Sequence, residues 1–109
     1  SQVATFNTSQ NLVVVGTITA QSSIALKDNV ETIPNALSRV LNLRGVEWDY
    51  KSNGTHNMGV VAEEVEKEFP CLVHEGADGI KSVAYANIVG VLIEAVKDLK
   101  SEIDELRRK

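Results

Sequence analysis

Apolar and polar positions divide the chain into three textures. Residues 1–23 are rich in Ser, Thr, Gln and Asn around a β-branched run, Leu12-Val13-Val14-Val15, and after Gly16 the alternation Thr17-Ile18-Thr19-Ala20 continues it. This reads as one or two strands broken by a glycine turn. From Lys27 the texture becomes mixed. Pro34 suits a first helical turn with Thr32 as its cap. Ile33, Leu37, Val40 and Leu41 recur at three- and four-residue spacing, which predicts a helix over about 33–43, stopped by Gly45. Val46, Trp48 and Tyr50 alternate with Glu47, Asp49 and Lys51 as in a half-buried strand. Asn53-Gly54 then predicts a turn and a return strand from His56 to Val61. A short helix is expected over Ala62 to Phe69, with Ala62, Val65 and Phe69 inward and Pro70 ending it. Leu72–His74 and Ile80–Val83 flank an Asp78-Gly79 turn and predict a small hairpin.

The last segment carries the clearest periodicity. Val89, Leu92, Val96, Leu99, Ile103 and Leu106 fall at alternating spacings of three and four, with β-branched residues at each a position and Leu at each d. A helix over about 86–108 follows, with Glu102 at g and Arg107 at the next e, an attractive pair across a parallel interface. The apolar stripe is wider in its first half, through Ile88, Val91, Ile93 and Ala95. The helix is therefore expected to pack on its own body first and to project as a coiled coil from about Lys97. The competing reading is one amphipathic helix lying on a monomeric core. Val or Ile at a with Leu at d favours two strands over three.

Composition narrows the function. A chain of 109 residues is one domain's worth, and 43% apolar with 24% charged content is ordinary for a globular protein. A net charge of −4 argues against a nucleic-acid partner, which requires a basic face. No apolar run approaches the roughly 20 residues of a membrane span, so no membrane partner is expected. The single cysteine, Cys71, cannot form an internal disulfide and reads as a small buried residue beside a strand. Glu63, Glu64, Glu66 and Glu68 spread around a helix and read as a solvated face, so no metal site and no cofactor are expected.

The distribution of charge is more telling than its sum. Residues 1–26 contain no Asp, Glu, Lys or Arg, so all 15 acidic and 11 basic residues lie from Lys27 onward. Strands with open edges and no charged gatekeepers are an aggregation hazard alone. They are expected to be the end of a larger β structure that pairs them, with other copies of the chain among the partners. An N-terminal hairpin folded onto this domain is the plainer alternative. At the boundary stand a hydroxyl and an amine five residues apart, Ser22 and Lys27, a spacing that by itself recurs by chance.

Context gives that spacing meaning. The string Ser22-Ser23-Ile24-Ala25-Leu26-Lys27-Asp28-Asn29-Val30 resembles the Ser-Asp-x-Arg-Leu-Lys-x-Asn-Ile opening of the endosialidase-type intramolecular chaperone domains found at the C-terminus of phage tail spikes and tail fibres. The likeness continues through Leu43-Arg44-Gly45-Val46-Glu47-Trp48-Asp49-Tyr50. His56-Asn57-Met58-Gly59-Val60-Val61-Ala62-Glu63-Glu64-Val65 and its continuation to Phe69-Pro70 are similar to the family's His-x-Gly-x-Ile-Ala-Gln-Glu-Val-x-x-x-Phe-Pro block. Val83-Ala84-Tyr85 and Leu92-Ile93-Glu94-Ala95-Val96-Lys97-Asp98-Leu99 complete the set.

The resemblance implies an α+β fold: an N-terminal β segment from a trimeric fibre, a compact body of helices and hairpins, and a long C-terminal helix in a parallel three-helix coiled coil. It implies a boundary between residues 1–21, the end of the fibre, and 22–109, the chaperone. It further implies a homotrimer, seamed by Val89, Leu92, Val96, Leu99, Ile103 and Leu106, that folds the upstream fibre domains of its own chain. Such a domain is then released by self-cleavage at Gln21–Ser22, acting once in cis, with Ser22 as nucleophile and Lys27 as base. His56 is the candidate oxyanion donor through its place in the family block. The expected setting is a virion tail-fibre precursor assembled in the host cytoplasm. Three positions depart from the pattern: Ser23 replaces Asp, Ala25 replaces Arg and Glu63 replaces Gln. A non-cleaving trimeric assembly module with the same fold is the alternative.

Overall fold

In a computed structural model the described residues are 4–6 and 11–109. Two compact units divide between Glu31 and Thr32. In the first, β1 (Ala4–Phe6) pairs antiparallel with β2 (Leu12–Val14) in the register Ala4↔Val14, Thr5↔Val13, Phe6↔Leu12. Gly16 turns the chain at φ +101°, a conformation that suits glycine. The alternation at 17–20 forms no strand in the single chain. Period-two patterning specifies which face a strand would present, but a strand still needs a neighbour to take its backbone hydrogen bonds. A short 3-10 turn, Ile24–Leu26, ends this unit's regular structure.

The second unit is mixed α and β, built from two small antiparallel sheets and three α-helices. The first helix, α1, covers only Ala36–Val40. Asn35 adopts the left-handed region at φ 55°, so helical geometry cannot extend back to Ile33, and neither Thr32 nor Asn35 caps the helix with its side chain. A free N-terminal amide is instead satisfied from outside, where Leu37 N–H donates to Asp98 Oδ2 at 3.2 Å. β3 (Val46–Asp49) and β4 (His56–Gly59) form the expected hairpin, with Val46 and Trp48 half-buried and Glu47 and Asp49 exposed. The next helix, α2 (Ala62–Glu68), ends at Phe69, and Pro70 opens a 3-10 turn to Leu72. That turn points Leu72 inward and leaves Cys71 exposed, which corrects the expectation of a buried thiol. β5 (Val73–Glu75) and β6 (Lys81–Val83) complete the second sheet.

The core of this unit is Val65, Phe69, Leu72 and Val91, with Ile33, Val40, Leu43, Val60, Val73, Val83 and Ile88 packed around it. Arg39 stacks over the Phe69 ring at 4.3 Å and its guanidinium donates to the carbonyls of Glu68 and Pro34. The last helix, α3 (Ile88–Arg108), runs 21 residues, or about 31 Å. Its body-facing side is Val91 and Ala95, which are buried, with Asp98 beside them. These lie at c and g positions, so the body covers a face other than the a/d stripe.

Candidate functional site

The first unit brings Ser22 and Lys27 together. Ser23 lies in extended geometry and its Oγ accepts the Ala25 N–H at 3.1 Å, while the Leu26 and Lys27 amides donate to Ser23 O and Ile24 O. The resulting turn folds the chain back so that Lys27 Nζ donates to Ser22 Oγ at 2.7 Å. The two neighbouring hydroxyls thus have separate partners: Ser22 faces the amine and Ser23 faces the backbone.

This pair is set in geometry but not in environment. Both side chains are exposed, and so are the apolar residues around them: Ile24 at 70%, Leu26 at 65% and Val30 at 61%. A lysine acts as a base only in its neutral form, which desolvation favours. A partner surface over Ile24, Leu26 and Val30 would exclude water from the amine.

His56 belongs to the other unit and has carboxylate partners of its own. Asp49 lies directly across the hairpin from it and Glu47 two residues further on the same strand face. Its Nδ1 is 2.8 Å from Asp49 Oδ1 and its Nε2 is 3.0 Å from Glu47 Oε1. The hydrogen bonds to Glu47, and then to Asp49, raise the imidazole above its ordinary value, so the charged ring with both N–H groups donating is favoured. An oxyanion would have to compete with one of these carboxylates. Sequence reasoning named His56 without its partners, although the hairpin register and the Glu47/Asp49 alternation place them together.

Neighbouring ion pairs hold the body. Arg44 clasps Glu64 through Nε and Nη2 at 2.7–3.1 Å, which raises the guanidinium and lowers the carboxyl. Lys81 donates to Glu66 at 2.6 Å, and Asn42 donates to Glu68. Three of the four α2 glutamates therefore tether the helix rather than merely face water.

The six heptad side chains are all exposed, from Leu99 at 45% to Leu106 at 66%. They form one continuous apolar stripe from Val89 to Leu106.

A family model described as chaperone of endosialidase matches residues 22–74, so the match begins at Ser22. The long tail fiber proteins Gp37 of Enterobacteria phage K3 and of Enterobacteria phage T2 are each 34% identical over 98 residues, covering 82% of this chain. The chain spans only 8% and 7% of the length of those two relatives.

Proposed function

Since the chain belongs to the chaperone-of-endosialidase family, we propose that it is the intramolecular chaperone of a phage tail fibre, which assembles three copies and then cuts itself free between Gln21 and Ser22. The observation that carries this reading is the 2.7 Å contact between Lys27 Nζ and Ser22 Oγ at the first residue of the matched region. Residues 1–21 then belong to the fibre and residues 22–109 to the chaperone.

Assembly comes first. Burial of the stripe Val89, Leu92, Val96, Leu99, Ile103 and Leu106 among three parallel helices brings copies into register, with Glu102 at g opposite Arg107 at the following e of the neighbour. Neighbouring chains also cover Ile24, Leu26 and Val30, and Lys27 loses its proton as water leaves. Neutral Lys27 then accepts the Ser22 hydroxyl proton while Oγ attacks the Gln21 carbonyl carbon. The tetrahedral oxyanion collapses with cleavage of the Gln21–Ser22 C–N bond, and the leaving nitrogen takes up the proton. An ester now joins the Gln21 carbonyl to Ser22 Oγ. Water hydrolyses it, leaving a carboxylate on Gln21 and a free amine on Ser22. His56 supports the oxyanion once assembly frees one of its N–H groups from Glu47 or Asp49. In this reading the precursor assembles in the host cytoplasm and the fibre goes on to the virion.

The test is the intact mass of the purified chain, with Ser22→Ala alongside. A product spanning residues 22–109 that disappears in the variant is expected, together with a trimer by light scattering. A single full-length mass under all native conditions, from a protein that is still trimeric, leaves a non-cleaving assembly module and overturns the peptidase. A stable monomer at micromolar concentration overturns both.

A further inference from the structure

Five residues of extended chain span up to about 17 Å, further than a lysine side chain reaches. Ser22 and Lys27 meet only because the 3-10 turn at Ile24–Leu26, with its smaller rise of about 2.0 Å per residue, shortens the path between them. A single turn of this kind is weak by itself, and here all three of its residues are exposed. Packing within the unit therefore does not hold it closed. What holds it is local: the Ser23 and Ile24 carbonyls accept the amides of Leu26 and Lys27, and the Ser23 hydroxyl accepts the otherwise free amide of Ala25.

We propose that Ser23 is a positioning residue for self-cleavage, its hydroxyl capping the turn that holds Lys27 against Ser22. The proposal rests on Ser22 and Lys27 being the reacting pair, and it assigns the second hydroxyl at the junction a distinct task. It also accounts for the departure at this position. Serine and aspartate rank together as residues that cap a helical turn from its N-terminal side. Ser23 therefore retains the capping chemistry of the aspartate in the family pattern, and the loss of the acidic charge does not dismantle the pair. The Ser23 Oγ is already committed to Ala25 N–H, which disfavours it as the attacking group.

The experiment uses the full-length chain in two arms. Hydrogen exchange of the Ala25 amide is read by NMR in the uncleavable Ser22→Ala background. Adding Ser23→Ala is expected to accelerate exchange by about 2- to 30-fold, the range of a lost cap, while adding Ser23→Asp leaves it within about threefold. In the cleavable chain, Ser23→Ala slows release of 22–109 by about the same factor and Ser23→Asp restores it, with trimer mass and unfolding of the body unchanged in both. Rescue by aspartate separates a cap from general loosening of the segment. Equal Ala25 exchange in the presence and absence of Ser23 overturns the proposal. So does a product whose first residue is Ser23, which would make that residue the nucleophile. Faster exchange in Ser23→Ala, in a chain that never cleaves, upholds the cap and rejects the peptidase instead.

Discussion

Among residues 11–31 no side chain is buried, and Val15 and Ile18 are 75% and 76% exposed beside strands that carry no charge. Between Thr32 and Lys109, by contrast, Val65 is fully enclosed, Phe69 and Val91 nearly so, and charged side chains clasp one another around them. One region closes its own core; the other, in its described residues, leaves its apolar side chains exposed. The same division recurs within α3, which buries Val91 and Ala95 and leaves its heptad stripe open.

The largest effect is expected at the seam. Leu99→Asp places a charge on the a/d stripe and, for the trimer proposed above, is expected to reduce the light-scattering mass from three chains to one, with cooperative unfolding of the body retained. Loss of the body's unfolding transition in that variant would mean the two regions are not separable. Next in size is the core. Phe69→Ala removes a buried ring that Arg39 also covers and should cost about 3–5 kcal/mol by denaturant titration. Ile24→Ala, exposed in the single chain, should stay within about 0.5 kcal/mol of its parent when both are measured in the Leu99→Asp background.

A smaller effect is expected at Gly59, where an added Cβ would overlap the Tyr85 hydroxyl that bonds to Val60 N–H and Val60 O. Gly59→Ala should cost about 1–3 kcal/mol, again read by denaturant midpoint. The smallest concerns pH. Because the folded state raises the His56 pKa, its hydrogen bonds stabilise the hairpin fully below the unfolded value of 6.5. That contribution is lost as pH rises through the higher folded value. The ring titration by NMR should have its midpoint above 6.5, and Glu47→Gln should lower it. An unchanged midpoint in that variant would remove Glu47 from the clamp.

Much of the body could be read from residue order because its signals are local. Asn53-Gly54 and Asp78-Gly79 punctuate both hairpins, Pro70 stops α2, and the 3.5-residue repeat delimits α3 to within two residues of its start. The elements that differ depended on distant partners or on backbone turns that hydrophobic periodicity does not encode. α1 is shorter than its periodicity predicts because Asn35 turns left-handed and the helix takes its amide acceptor from Asp98, 61 residues away. The strand expected at 17–20 has no neighbour to pair with among the described residues. Cys71 faces out because the 3-10 turn after Pro70 sends Leu72 inward instead.

The candidate site divides in the same manner. Residue order alone supplies Ser22, Lys27, the onset of charge beside them and the heptad stripe, since each is a matter of spacing along one segment. A local 3-10 turn settles which of two adjacent serines meets the lysine, while the packing of elements settles which carboxylates hold His56 and which face of α3 the body leaves open. Spacing states which side chains can share a face. Only the folded chain, by satisfying each backbone amide and covering some apolar faces before others, determines which contacts form.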